Sequence, residues 1–426
     1  MIESLMIYRK FHNKEKKILR TMWQLMETEQ DKNSEMELTQ CIHEIVENSY
    51  VGGFYGNLWH CCLTNLLVNH ENAYSLSMEL SKQEENELTP IALHDMRFFH
   101  RLFQYDFRSI ADEMCEEAAE MLQHVDVVSA GSMYSAEIRD IICDLAATLG
   151  KSSSPEEMLR HLTGFYRTYG VGMLGLHKGF RLEVPKEKVR IRPVANVAGI
   201  HLNDLVGYEI QKNKLLHNTE AFLAGKRANN CLLFGDAGTG KSSSMKALAN
   251  QYYDQGLRVI EVYKHQFQYL NELIGMIRCR NYKFIIYMDD LSFEDFEIEY
   301  KYLKAIIEGG LEEKPGNVLT YATSNRRHLI HERFSDKEGK RDFMHASDTV
   351  QEKLSLAARF GVTIFYGSPD PREFQTIVTT LAKRYGVVME EAALLAEANQ
   401  WELAHGGLSG RTAQQFIDYL LGRRSE

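Results

Sequence analysis

The chain has 426 residues, of which 44% are hydrophobic, 25% charged and 10% aromatic, with a formal net charge of −10. That length exceeds what one core organises and implies two to three globular domains, while the acidic balance argues against nucleic-acid binding by the surface as a whole. Cys41, Cys61, Cys62, Cys115, Cys143, Cys231 and Cys279 are odd in number and lack paired CxxC spacing, so reduced thiols in a cytoplasmic protein are expected.

The chain opens with Glu3, Arg9 and Lys10 among its first residues, and no uncharged apolar run approaches the roughly 18 residues of a membrane span. Neither export nor membrane insertion is expected. Residues 1–180 read as a mainly helical domain, with apolar residues at three- and four-residue spacing, as in Ile110, Met114, Ala118, Met121 and Leu122. Thr89 before Pro90 and Ser154 before Pro155 mark two helix starts. His60, Cys61 and Cys62 suggest a metal only weakly, because adjacent helical positions point in different directions; a packed core is preferred. Phe98, Phe99, Phe103, Tyr105 and Phe107, interleaved with Arg97, Arg101 and Arg108, read as an amphipathic core face in preference to a base-stacking surface. This half carries no catalytic motif.

Residues 170–179 are glycine-rich, and 184–199 hold two prolines among alternating basic and apolar residues, so residues 181–204 are assigned as a linker. From residue 205 the pattern alternates: a helix over 210–223, a strand over 231–234, a helix from 241, a strand over 258–263 and a helix over 267–277. It continues with strands at 284–288, 318–323 and 362–366 and a helix over 300–307. Such alternation predicts an α/β core, residues 205–368, with a five-stranded parallel sheet. Residues 369–426 show only helical segments, near 373–385, 389–405 and 411–420, and are expected to form a helical lid. The charged run 335–342 reads as a solvated loop.

The most specific motif is CLLFGDAGTGKSS at residues 231–243. It matches G-x-x-x-x-G-K-[ST] between a strand and a helix, the context of a P-loop, and predicts a nucleoside triphosphate. Gly235, Asp236, Ala237, Gly238, Thr239 and Gly240 form the loop whose backbone N–H groups surround phosphate oxygens. Lys241 neutralises their charge at the helix N-terminus, followed by Ser242 and Ser243, and the Ser242 hydroxyl can ligate Mg²⁺. The strand at 284–288 ends in Asp289 and Asp290. Asp289 is the candidate Mg²⁺ carboxylate, and Asp290 the group that orients or polarises the attacking water. Taken alone, a strand ending in two solvated acids would be unremarked.

Six segments in this order resemble the AAA+ ATPases, and among them an uncharacterised AAA-type family of bacterial ATP-binding proteins. They are DLVGYEIQKNKLLHNT (204–219), the P-loop or Walker A motif, the Walker B strand FIIYMDDLSFE (284–294), YATSNRRH (321–328), EKLSLAARFG (352–361) and GLSGRTAQQF (407–416). The resemblance covers residues 205–420 and touches the first half only through Phe180-Arg181 and Arg192-Pro193. It implies ATP and Mg²⁺ as ligands, with Val206 and Gly207 at the adenine pocket and Asn325 as the sensor 1 residue beside the γ-phosphate. It further implies Arg359 as an arginine finger reaching a neighbouring subunit's nucleotide, and Arg411 as sensor 2 on the lid. A homo-oligomer, expected to be a ring, follows from a trans arginine, and the first domain would then select an unknown protein or nucleic-acid partner. Two departures stand out. The Walker B strand ends Asp-Asp where most active relatives have Asp-Glu, so turnover is expected to be slow unless Glu294 assists. After the second strand, Tyr263-Lys264-His265-Gln266-Phe267 replaces the pore loop of threading unfoldases. An ATPase that remodels a partner is therefore the leading expectation, and a nucleotide-gated scaffold with little turnover the alternative. A kinase or GTPase fits less well, since no N-K-x-D guanine motif is present.

Overall fold

The computed structural model describes residues 2–27, 32–106, 120, 122–126, 131, 133–293, 298–308, 315–325 and 356–423. The chain divides into two compact units, residues 1–178 with 193–196, and residues 179–192 with 197–426.

The first unit is built from helices α1 (Asn13–Glu27), α2 (Lys32–Gly52), α3 (Leu58–Asn69), α4 (Ala73–Met78), α5 (Thr89–Phe103), α6 (Ala136–Gly150), α7 (Pro155–Thr168) and α8 (Gly172–Leu176). Helix α3 is apolar on nearly every side and is buried accordingly. Ser154 caps α7 as its sequence predicts, accepting the Glu157 N–H. Helix α5 differs: Thr89 is its first helical residue, and Leu88 occupies the cap position without a side-chain bond. The Thr89 hydroxyl instead accepts the Asn86 N–H at 2.9 Å. The buried Asp95 carboxylate accepts the N–H groups of Met6, Ile7 and Tyr8, tying the N-terminal segment to α5. Phe98 stacks on Trp23 with centroids 4.7 Å apart, and Phe99 and Phe103 are buried, so the aromatic run is core. The ring of His60 meets the Phe103 carbonyl, Cys61 and Cys62 are buried, and Cys61 Sγ lies 4.0 Å from Cys143 Sγ. Phe107, Arg108 and most of the predicted 110–122 helix lie outside the described residues.

The second unit carries one sheet in the order β2-β1-β4-β5-β6-β3-β7. Its strands are β1 (Gly179–Glu183), β2 (Arg190–Val194), β3 (Cys231–Gly235), β4 (Leu257–Glu261), β5 (Lys283–Met288), β6 (Val318–Ser324) and β7 (Val362–Tyr366). The pairings β1 with β4, β4 with β5, β5 with β6, β6 with β3 and β3 with β7 are parallel. The five predicted strands are present, but the sheet has seven. The additional pair comes from the segment assigned as a linker. Phe180 and Leu182 alternate inward from β1 and are buried, Val189 is buried just before β2, and Gln266 Nε2 donates to the Leu182 carbonyl at 2.9 Å.

Helices α9 (Glu209–Leu223), α10 (Lys241–Gln251), α11 (Leu270–Ile277) and α12 (Glu299–Glu308) connect the strands, and α13 (Pro371–Arg384), α14 (Glu391–Ala404) and α15 (Gly410–Arg423) follow β7. These last three share a core of Phe374, Val378, Leu394, Ala398, Ala413, Phe416 and Ile417. The sheet core joins Leu233 of β3, Ile285 of β5, Tyr321 of β6 and Ile364 of β7 to Met245 and Leu248 of α10. β3 lies between β6 and β7, the chain crosses over it in passing from β6 to β7, and the carboxyl ends of β3, β5 and β6 open onto one crevice.

Candidate functional site

A cavity of about 940 Å³ opens at that edge, lined by the glycine-rich loop after β3, the ends of β5 and β6, the segment 199–208 and helices α13 and α15. The loop's backbone leaves the space glycine alone supplies. Gly235 has φ +133° and Gly238 φ +77°. A Cβ at Gly235 would run into the Tyr366 carbonyl oxygen, and one at Gly238 would sit 2.9 Å from Ser409 Oγ. Asp236 braces the loop by accepting the Ser368 N–H at 2.7 Å. Lys241 is buried, and its Nζ donates to the carbonyls of Gly235 (3.0 Å) and Asp236 (2.5 Å). Burial lowers its pKa, although Asp236, Asp290 and Asp289 pull the other way.

The acids sit across from the lysine. Asp289 Oδ1 accepts hydroxyl hydrogens from Ser242 (2.7 Å), Tyr287 (2.6 Å) and Thr323 (2.5 Å). Burial alone would raise the Asp289 pKa, but these bonds outweigh it and hold the carboxyl below its ordinary value. Tyr287 is pushed up in turn by burial and by the neighbouring Asp289 charge. Asp290 adopts φ +49°, donates its N–H to Thr323 Oγ1 at 2.9 Å, and accepts from Asn325 Nδ2 at 2.8 Å. A hydroxyl and a carboxylate 2.7 Å apart, beside the glycine-rich loop and Lys241, form an oxygen donor set that fits a hard divalent cation.

The opposite wall is helical, with arginines and apolar residues. Arg411, at the start of α15, donates its backbone N–H to the Gly238 carbonyl at 3.2 Å, and its exposed side chain lines the cavity. Arg384, in the last turn of α13, donates to the carbonyls of Asp204 (3.1 Å) and Asn203 (3.3 Å). Val206, Tyr208, Ile377 and Leu381 line the apolar end, where Tyr208 stacks on Tyr366 and donates to the Gly367 carbonyl.

The structure thus brings Val206, Ala237, Gly238, Thr239, Gly240, Lys241, Ser242, Ser243, Asp289, Asp290, Asn325 and Arg411 to one cavity. Gly235 and Asp236 lie beneath the loop and brace it, and Gly207 turns the chain into α9 at φ +79° without lining the wall. Arg359 stands apart: it is half-buried just before β7 and does not line the cavity. Glu294 and the loop 335–342 lie outside the described residues. Sequence reasoning passed over Thr323, Tyr208, Arg384 and Gln414, which line the cavity, and Tyr287, which bonds Asp289. For Tyr287 and Thr323 a signal existed, because each stands two residues before a predicted site residue and shares its strand face.

A family model described as a protein of unknown function (DUF815) matches residues 176–424. No curated protein matches the chain. Among solved structures, two mutants of Thermotoga maritima RuvB are each 17% identical, with TM-scores of 0.37 and 0.36, over 54% and 53% of this chain. The matches span 66% and 65% of those RuvB chains, just under two thirds of their length. The FIGL-1 AAA domain in complex with ADP is 17% identical over 53% of this chain and 74% of its own, with a TM-score of 0.37. PCH-2 of C. elegans is 16% identical over 53% and 72%, with a TM-score of 0.34.

Proposed function

The chain belongs to the DUF815 family of proteins of unknown function, and from the residues its cavity brings together we infer that it is an AAA+-type ATPase. In this reading it binds ATP and Mg²⁺ in the cavity between sheet edge and helical lid, hydrolyses ATP to ADP and phosphate, and couples turnover to remodelling of a partner. One observation carries it: the Ser242 hydroxyl and the Asp289 carboxylate, 2.7 Å apart, face the loop that Lys241 closes. Ser242 and Asp289 would hold Mg²⁺, which when bound supplies positive charge against phosphate oxygens. Lys241 exchanges the Gly235 and Asp236 carbonyls for phosphate oxygens, at a site whose burial leaves it few other ligands. Asp290, steadied by Asn325, orients the attacking water, and Arg411 joins the charge balance from α15. Val206 packs at the adenine end. Arg359, outside its own chain's cavity, acts on the nucleotide of a neighbouring copy, which makes the working form a homo-oligomer, and the first unit selects the partner.

No helix among the described residues is long and apolar enough to cross a membrane. Cys61, Cys62, Cys143 and Cys231 are free thiols, and they and Cys41 are buried, which suits the reducing cytoplasm.

The test is nucleotide affinity. Lys241→Ala is expected to weaken binding of a fluorescent ATP analogue by about 10- to 100-fold, the worth of charge-assisted phosphate contacts, with an unchanged circular dichroism spectrum. Affinity equal to that of the native chain would overturn the reading. Asp290 favours a second reading, a nucleotide-gated switch with little turnover. Its carboxylate is one methylene shorter than the usual glutamate and is already engaged by Asn325. Tight ATP binding with no phosphate release would select the switch.

A further inference from the structure

Thr323 sits in the penultimate position of β6, 1% exposed, and makes bonds to three consecutive residues at the end of β5. Its hydroxyl donates to Asp289 Oδ1 (2.5 Å) while accepting the N–H of Asp290 (2.9 Å), and its carbonyl accepts the N–H of Leu291 (2.7 Å). One hydroxyl therefore touches the side chain of the first acid and the backbone of the second. The backbone it holds is unusual: Asp290 has φ +49°, a conformation that costs a non-glycine residue energy unless its surroundings enforce it. That turn aims the Asp290 carboxylate at Asn325. Tyr287, 5% exposed, completes the arrangement from the same face of β5, its hydroxyl 2.6 Å from the same Asp289 oxygen. With Ser242, three hydroxyls converge on Oδ1.

Resting on the ATPase reading above, we propose that Thr323 is a positioning residue that sets the metal-side acid and the water-side acid in one fixed relation, with Tyr287 as the second positioning residue for Asp289. A valine in place of Thr323 keeps its shape and deletes the bridge, so both acids lose their common anchor. Groups that orient metal ligands in this way are commonly worth 10- to 100-fold in metal affinity or rate.

The experiment titrates Mg²⁺ against binding of a fluorescent ADP analogue, beside phosphate release from ATP, in the full chain. For Thr323→Val the Mg²⁺ midpoint is expected to rise about 10- to 100-fold and kcat to fall by a similar factor, while ADP affinity in EDTA stays as in the native chain. Thr323→Ser, which restores the hydroxyl, is expected to recover most of both. A merely structural role for Thr323 would weaken metal-free ADP binding as much as Mg²⁺-dependent binding, and that outcome overturns the proposal. So does a native Mg²⁺ midpoint in Thr323→Val. Should that variant fail to fold, Tyr287→Phe carries the same expectation for the midpoint, and an unchanged midpoint there overturns the proposal equally. A native chain whose ADP binding ignores Mg²⁺ would overturn the ATPase reading itself, and the proposal with it.

Discussion

His70 is 5% exposed and packs between the rings of Tyr8 and Phe11, with its Nε2 accepting the backbone N–H of Lys10 at 2.9 Å. An acceptor nitrogen carries no proton, and burial pushes the imidazole down to about 4 from its ordinary 6.5. The unfolded chain therefore takes up this proton first as pH falls. Stability from neutral His70 is full above about pH 6.5 and drains away between there and about pH 4, by up to about 3 kcal/mol. Melting of the first unit is expected to fall between pH 7 and pH 5, and His70→Gln, which keeps an acceptor, to flatten that dependence. A native profile that is flat over this range would discard the account. At the candidate site, legibility ran along motif lines. Ser242 and Asp289 were readable because spacing and residue type name their chemistry. For Tyr287 and Thr323 the spacing from Asp289 and Asn325 was a weak signal, since a hydroxyl in an apolar strand looks like ordinary strand propensity until a partner is seen.

Elements were most legible where burial is two-sided. Strands β3, β5 and β6 are near-continuous apolar runs, as a parallel sheet covered on both faces requires, and their predicted bounds lie within a residue of those observed. Strands β1 and β2 carry charges at alternate positions and are punctuated by Pro185 and Pro193, so they imitate a linker. The junction of β3 with β7 provides a test. Gly235 pairs with Tyr366, and an added methyl there would meet the Tyr366 carbonyl as well as a left-handed backbone. Gly235→Ala is expected to cost about 2 to 4 kcal/mol in urea denaturation. Gly207→Ala, also at positive φ but with open space around the new methyl, should cost only about 1 kcal/mol. Equal losses would show that the packing contact contributes nothing.

For the molecule as a whole, the open matter is whether one copy completes another. Arg359 lies outside its own chain's cavity, so an arginine acting in trans should make specific activity depend on concentration. Phosphate release per chain is expected to rise with protein concentration, and Arg359→Ala to lower it by roughly 10³-fold or more. Activity that is constant on dilution and unaffected by the substitution would restrict each copy to its own site. Within a copy, helix and loop are already joined. The hydrogen bond from the Arg411 backbone N–H to the Gly238 carbonyl couples the first turn of α15 to the bend of the loop. It works as a crank: a few degrees of rotation in α15 must either stretch that bond or drag the loop, so a mechanical load on the C-terminal helices is felt as a changed grip on whatever the loop holds.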